Sequence, residues 1–234
     1  MTDAAGAHGV ATLGGSIQVE GGRVVSSLLV RPAGARLALV LAHGAGAGMR
    51  HPFLAAVAER CAAHGVATLR YQFPYIEAGG HRPDPPELAV ATVRAAVEAA
   101  AHALPGLPLV AGGKSFGGRM TSQAQAASPL PGVRGLVFLG FPLHPEGEPA
   151  RERADHLQQV ACPMLFIQGT RDELADPALL AAVVEGLGAR ATLESIADAD
   201  HAFHLPARSG RRDAEVHAAM LDALVRWIDR VAPA

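Results

Sequence analysis

The sequence predicts an α/β fold: a doubly wound, mostly parallel sheet with an antiparallel N-terminal strand and helices on both faces. Strand-like and helix-like segments alternate along the chain, and most strand-like segments are continuous apolar runs. Such runs are typical of strands that are buried on both faces of a parallel sheet. No internal repeat or linker divides the chain, so we expect one domain at 16–234 after a flexible N-terminal segment at 1–15.

The individual elements follow from local patterns. Gly21-Gly22 is a hairpin turn signal, which predicts two antiparallel strands on either side of it, at 16–20 and 24–31. Later strand-like segments, several of them apolar runs, predict six further strands, at 36–43, 66–71, 107–112, 133–140, 163–169 and 190–196. Helical spacing of apolar residues predicts five helices, at 52–64, 86–103, 118–127, 176–187 and 212–231. The stretches 74–86 and 141–155 are predicted to be loops.

Composition and charge argue against several classes of protein. The net charge of −2 and the scattered basic residues do not predict a nucleic-acid partner. No apolar run has the roughly 18 residues that a membrane span needs, and the N-terminus does not resemble a signal peptide. Cys61 and Cys162 are expected to be reduced core residues. We therefore expect a cytoplasmic monomer or homodimer without a membrane or nucleic-acid partner.

The clearest chemical motif is Gly113-Lys114-Ser115-Phe116-Gly117, a G-x-S-x-G. A predicted strand precedes it and a predicted helix follows, which is the context of a nucleophile elbow. Glycines on either side of the serine allow a tight turn, so the serine Oγ projects alone above the sheet. The helix N-terminus that follows favours developing negative charge. The sequence therefore predicts Ser115 as a catalytic nucleophile.

Two other glycine-rich patterns do not fit. A P-loop that ends in Gly113-Lys114-Ser115 would require glycine at position 108, which is Pro108. A dinucleotide fingerprint that begins at Gly44 would require glycine at position 49, which is Met49. We therefore expect no nucleotide and no cofactor.

An acyl-transfer site also needs two preorganised N–H donors for the oxyanion. One is expected from Phe116, the residue after the nucleophile, and the other from the loop that follows the strand ending at His43. Ala45 is the predicted second donor, with Gly46 as the alternative. His43 is expected to brace this loop, because it precedes the nucleophile in the chain.

The general base is expected to be a histidine in the loop after the last strand. His201 follows that strand by a short turn and is the preferred candidate, with His204 as the alternative. The two histidines could also form half of a metal site, but no third ligand is evident in the sequence, so no metal is expected.

The acid that orients this imidazole is expected at a strand end between Ser115 and the histidine. Asp172 follows an apolar strand and fits this position, with Glu173 and Asp176 as alternatives. Asp198 and Asp200 lie too close to His201 along the chain to orient it easily.

These residues occur in the order Ser115, Asp172, His201, which is the order found in α/β-hydrolases. Four segments carry the resemblance: AHGAGAGMRHPFL, GGKSFGGRM, GFPLHP and GTRDEL. They resemble the dienelactone-hydrolase-like branch, and specifically a group of small serine hydrolases. The resemblance covers roughly residues 16–231 and implies the α/β-hydrolase fold and a serine triad. Dienelactone hydrolases use a cysteine nucleophile, so Ser115 departs from them and leaves the substrate open.

Two further features affect the expected function. Lys114, next to the nucleophile, is expected either to pair with a carboxylate or to contact an acidic substrate. The segment between the strands at 133–140 and 163–169 is short and polar, so we expect no large lid and no interfacial activation. His144, Arg151 and Arg153 in this segment are expected in a solvated loop, with contact to a polar substrate as the alternative.

The sequence thus predicts a carboxylesterase-like serine hydrolase that acts on a small-molecule ester or thioester. Two alternatives remain. The same triad could serve a peptidase or an acyltransferase, or the chain could be a non-catalytic scaffold that acts through partners.

Overall fold

The computed structural model describes residues 9–232, which form one eight-stranded sheet flanked by helices. The strands are β1 Val10–Val19, β2 Arg23–Pro32, β3 Leu37–Ala42, β4 Val66–Tyr71, β5 Leu109–Lys114, β6 Val133–Leu139, β7 Met164–Gly169 and β8 Ala191–Ile196. The helices are α1 Pro52–Ala63, α2 Pro74–Glu77, α3 Pro86–Ala103, α4 Phe116–Ala127, α5 Pro177–Leu187 and α6 Asp213–Val231. None of these helices is long and apolar enough to cross a membrane.

The sheet has the strand order β1-β2-β4-β3-β5-β6-β7-β8. The β1/β2 and β2/β4 pairs are antiparallel, and all later neighbours are parallel. Parallel neighbours require crossover connections, and helices provide them along the chain. The predicted fold class is confirmed, including its antiparallel N-terminal part.

The central strands are buried on both faces, as their continuous apolar runs predict. In β3, Leu37, Leu39 and Leu41 belong to one buried apolar cluster, whereas Ala38 and Val40 belong to the other. Helices α1 and α6 cover the first cluster, and helices α3, α4 and α5 contribute to the second. Because successive side chains of a strand point to opposite faces, the same run of residues supplies both cores.

The structure differs from the prediction in three places. Strand β1 begins at Val10, so residues 10–15 pair with β2 instead of belonging to a flexible segment. Residues 1–8 of that predicted segment lie outside the described residues. A short helix, Pro74–Glu77, lies in the first predicted loop, and a 3-10 helix, Glu152–Gln159, overlaps the second.

The parallel strands all end at the same edge of the sheet, and the loops that follow them meet there. A ligand site is expected beyond this edge in a doubly wound sheet. The turn after β5 approaches strand β3 closely. A Cβ atom on Gly117 would lie 2.5 Å from the carbonyl oxygen of His43 and 2.6 Å from the Ala42 Cβ. Glycine is therefore the residue that allows this turn to lie against β3.

We expect Gly117→Ala to lower the free energy of unfolding by roughly 1–3 kcal/mol or more, because the new methyl group overlaps main-chain atoms of β3. The measurement is chemical denaturation of the purified proteins. Gly14→Ala is the matched control, since a Cβ there would meet no atom within 4 Å. It is expected to change stability by no more than about 0.5 kcal/mol. Equal stability of the two variants would contradict the close approach at Gly117.

Candidate active site

Ser115 lies at the junction of β5 and α4 in an unusual backbone conformation. Its φ is 49° and its ψ is −117°, a region that non-glycine residues rarely occupy. Its N–H donates to the carbonyl oxygen of Leu139 (3.2 Å), and its carbonyl oxygen accepts from Arg119 N–H (3.1 Å). This turn places the Ser115 hydroxyl at the end of the sheet, before the first turn of α4. Backbone strain of this kind is typical of functional sites.

A continuous chain of hydrogen bonds runs from Ser115 through His201 to Asp172. The Ser115 Oγ lies 2.8 Å from His201 Nε2, and His201 Nδ1 lies 2.7 Å from Asp172 Oδ2. A carboxylate can only accept here, so Nδ1 carries the proton and Nε2 is free to accept the serine proton. The His201 side chain is 27% exposed, whereas that of Asp172 is fully buried.

The Asp172 carboxylate accepts two more hydrogen bonds besides the one from His201. Gln168 Nε2 donates to Oδ2 (2.5 Å) and Leu174 N–H donates to Oδ1 (2.8 Å). Gln168 is itself fixed, because its Oε1 accepts from Phe141 N–H (2.8 Å). Gln168 lies inside the apolar run of β7, and the sequence analysis missed it. A polar residue within a buried strand was the available signal, since buried amides need partners.

The alternatives to Asp172 and His201 that the sequence offered lie outside this chain of hydrogen bonds. Asp176 caps helix α5, because its Oδ1 accepts from Ala178 N–H and Leu179 N–H (2.9 Å each). His204 Nδ1 pairs with Asp213 Oδ2 at 2.7 Å on the exposed side of the loop. Glu173 is exposed.

The loop that carries His201 is a tight turn. Asp200 Oδ1 accepts from Ala202 N–H and His204 N–H, both at 2.8 Å, and Phe203 has a positive φ of 65°. The main chain at Ala199 packs against the end of β7, where Arg171 N–H donates to its carbonyl oxygen at 2.9 Å. Asp200 therefore shapes the turn around His201, although it does not contact the imidazole.

Lys114 contacts a backbone carbonyl group instead of the carboxylate side chain expected for it. Its Nζ donates to the main-chain carbonyl oxygen of His201 (2.7 Å) and lies 5.5 Å from the centre of the Phe203 ring. Burial lowers the pKa of Lys114 to about 8, although the negative charges of Asp172 and Asp200 act in the opposite direction. The expected pairing with a carboxylate is therefore replaced by a contact with a backbone carbonyl.

The loop after β3 is held by a buried histidine and a tyrosine. His43 Nδ1 donates to the Gly44 carbonyl oxygen (2.8 Å), and its Nε2 accepts from Phe73 N–H (3.0 Å). Tyr75 Oη donates to the Ala45 carbonyl oxygen (2.7 Å). C=O and N–H of one trans peptide point in opposite directions, so the Ala45 and Gly46 N–H groups point away from these partners. Ala45 and Gly46 also line the cleft that contains Ser115.

His144 braces a second loop instead of lying in solvent. Its Nδ1 donates to the Pro145 carbonyl oxygen (2.7 Å), and its Nε2 accepts from Asp176 N–H (2.8 Å). The side chain is buried, which excludes the solvated position expected for it. It ties the loop after β6 to the segment that follows Asp172.

A cleft of about 760 Å³ opens beside Ser115 and His201. Its walls are mainly apolar: the small residues of 44–47, the start of α1 including Phe53 and Leu54, and Leu174. Three more histidines line it, namely His51, His204 and His217. Within residues 9–232, no carboxylate or arginine side chain lines this cleft, and no residue between β6 and β7 reaches it. No group of three metal-ligating side chains is found in that part of the chain.

Burial lowers the pKa of His43 to about 4, and burial with the nearby Arg119 charge lowers the pKa of His156 to about 4. The unfolded value is about 6.5. These neutral histidines therefore stabilise the fold fully above about pH 6.5, and the stabilisation is lost as the pH falls towards 4. For the more deeply buried His43 this pH-dependent difference is roughly 3 kcal/mol, and for His156, which is partly exposed, it is smaller.

We expect the free energy of unfolding of His43→Gln to fall less than that of the wild type between pH 7 and pH 4, because one titrating group has been removed. Urea denaturation at several pH values measures this slope. His81→Gln, at an exposed position, is the control and should keep the wild-type slope. A wild-type slope in His43→Gln would contradict the assignment of a buried neutral imidazole.

Comparison with known proteins finds a family model that matches most of the chain. Residues 35–229 match the family model described as "Alpha/beta hydrolase domain". A dienelactone hydrolase from Anabaena variabilis superposes with a TM-score of 0.76 at 23% identity, covering 96% of this chain and 100% of that one. An α/β serine hydrolase homologue from Coxiella burnetii gives a TM-score of 0.73 at 20% identity, covering 92% and 97%. A serine hydrolase without a lid from Xanthomonas campestris gives 0.72 at 20% identity, covering 95% and 96%.

Proposed function

The chain belongs to the α/β-hydrolase domain family, and we propose that it is a serine hydrolase that cleaves a small ester or thioester through an acyl-enzyme on Ser115. The observation that carries this proposal is the hydrogen-bond chain from Ser115 through His201 to Asp172. Serine, histidine and aspartate in this arrangement are the groups that acyl transfer requires.

In the first step, His201 Nε2 takes the proton from Ser115 Oγ while Oγ forms a bond to the carbonyl carbon of the substrate. The electron pair of the C=O bond moves to its oxygen. The buried Asp172 carboxylate stabilises the imidazolium that forms at His201. When the tetrahedral intermediate collapses, the bond to the alcohol or thiol breaks, and His201 gives its proton to that leaving group.

In the second step, water attacks the acyl carbon and gives a proton to His201 Nε2. Collapse of this intermediate breaks the bond to Ser115 Oγ, which recovers its proton from His201, and the carboxylic acid leaves. This cycle uses neither a cofactor nor a metal ion.

We assign the two oxyanion donors to the N–H groups of Phe116 and Ala45, with Gly46 as the alternative to Ala45. Neither Phe116 N–H nor Ala45 N–H donates a hydrogen bond within residues 9–232. The contacts of His43 and Tyr75 turn the carbonyl groups of this loop away from the cleft, which supports donation from its N–H groups. Such preorganised donors are typically the largest single contribution to catalysis of this type.

The lining of the cleft supports a neutral substrate with an apolar acyl or alcohol group. Lys114 is the cationic side chain in this lining, and its Nζ already donates to the carbonyl oxygen of His201. Phe53 lines the cleft and is only partly buried. Its ring stacks on the ring of Phe203, with 5.8 Å between the two ring centres. A neutral ester can therefore bury its apolar part without leaving an ionised group unpaired.

We expect a fluorophosphonate probe to form one adduct on the wild type and none on Ser115→Ala, because Ser115 lines the cleft and its hydroxyl faces a histidine nitrogen that can accept its proton. Intact-mass spectrometry counts the adducts, and peptide mapping locates them.

Ser122→Ala is the matched control. Ser122 Oγ lies 2.8 Å from both His156 Nε2 and the Arg119 carbonyl oxygen. Ser122 is fully buried, so a probe cannot reach its hydroxyl, and Ser122→Ala should label like the wild type. A folded wild-type protein that takes up no probe would contradict the proposal and favour a non-catalytic scaffold.

We also expect the rate on tributyrin to rise smoothly with concentration through the solubility limit. The reason is that no residue between β6 and β7 reaches the cleft, so no lid has to open at an oil–water interface. A pH-stat titration below and above the limit measures this. A sharp increase in rate once droplets form would rule out the open cleft.

A further inference from the structure

We propose that Lys114 is a positioning residue, which holds the main chain of His201 so that the imidazole faces Ser115. This role rests on the proposed function and goes beyond it. The contact that carries it is the 2.7 Å hydrogen bond from Lys114 Nζ to the carbonyl oxygen of His201. It joins the residue directly before the nucleophile to the residue that serves as its base, across 87 positions of sequence.

The surrounding structure leaves a space for this ammonium group. Gly140 follows β6 with a φ of 72°, and a Cβ there would lie 2.9 Å from Lys114 Nζ and 3.4 Å from His201 Nδ1. A side chain at this position would therefore displace Nζ and press against the imidazole. The absence of a side chain at Gly140 lets Nζ and the imidazole occupy the same corner of the site.

A second contact directs the ammonium group towards the same loop. The Phe203 ring lies 5.5 Å from Nζ, within the range of a cation–π interaction. Phe203 is fully buried and is two residues after His201. Lys114 thus contacts the turn at two points, one before and one after Ala202, which restrains both the position and the tilt of the loop.

Lys114 also lines the cleft, so a positioning role and direct substrate binding predict different behaviour of its variants. In the structure its Nζ is directed to the His201 loop, where the His201 carbonyl oxygen accepts from it and the Phe203 ring lies nearby. Burial lowers the pKa of Lys114, so the fold keeps a cation that desolvation disfavours. A compact ammonium with three donors can serve a carbonyl and a ring in this small space, whereas the broad guanidinium fork of arginine is less suited to it.

The test compares Lys114→Met with the wild type on a neutral ester such as p-nitrophenyl butyrate. We expect kcat to fall by roughly 10- to 100-fold, as for loss of a hydrogen bond from a charged donor, with KM within about twofold. The second-order rate of fluorophosphonate labelling should fall by a similar factor. The thermal midpoint is measured beside kcat to confirm folding, since loss of the hydrogen bond and loss of a desolvated charge act on stability in opposite directions. Lys114→Arg, which keeps a cationic donor, should recover part of the loss in kcat.

Arg171→Met is the matched control, since it removes an exposed positive charge next to Asp172 and should stay within about twofold of the wild type. Lys114→Gln, a neutral side chain one atom shorter, serves as a second variant if Lys114→Met does not fold, with the same expected result. Wild-type kcat and labelling rate in the folded neutral variant would overturn the positioning role. A rise in KM that is confined to an anionic ester, such as a succinyl half-ester, would overturn it in favour of substrate binding. Absence of labelling in the wild type would instead defeat the proposed function itself.

Discussion

The geometry of the site depends on one strained turn, the backbone at Ser115, which is held against strand β3. A φ of 49° costs roughly 1–3 kcal/mol for a residue other than glycine, so surrounding contacts must enforce it. The glycines at 113 and 117 allow the turn to lie against Ala42 and His43, where any Cβ would overlap. The same close approach brings the nucleophile next to the loop that supplies the proposed oxyanion donor. The pairing of β5 with β3 therefore sets the distance between the nucleophile and the loop after β3.

Histidines that take no part in the proposed chemistry stabilise the loops at this edge. His43 and His144 each donate from Nδ1 to a neighbouring carbonyl oxygen and accept a main-chain N–H at Nε2. A neutral imidazole can do both at once, whereas a protonated one loses its acceptor. His201 uses the same tautomer, but its Nε2 faces a hydroxyl instead of an amide. What distinguishes the proposed base is thus its partner at Nε2 and its partial exposure.

The sequence was sufficient to predict the sheet and the edge at which Ser115, Asp172 and His201 meet, because each follows a predicted strand. Ser115 and Asp172 follow apolar runs that mark buried strands. It was insufficient where pairing partners decide the structure. Residues 10–15 are largely exposed and rich in small residues, and they form a strand because β2 lies beside them. Gln168 is hidden inside an apolar run. The partner of Lys114 is a backbone carbonyl, which no side-chain pattern encodes.

Lys114 and Gln168 show how a mostly apolar domain can hold a polar site in one conformation. Gln168 fixes the buried carboxylate from within β7, and Lys114 fixes the loop of the imidazole from the end of β5. Both are attached to central strands, which move less than loops, and both act on groups that belong to loops. A hydrogen-bond chain of three side chains from three loops would otherwise lose alignment with small loop movements, and misplacement by about 1 Å can cost 100-fold in rate. The rigid strands therefore determine the alignment of the site, and the loops supply the reacting groups.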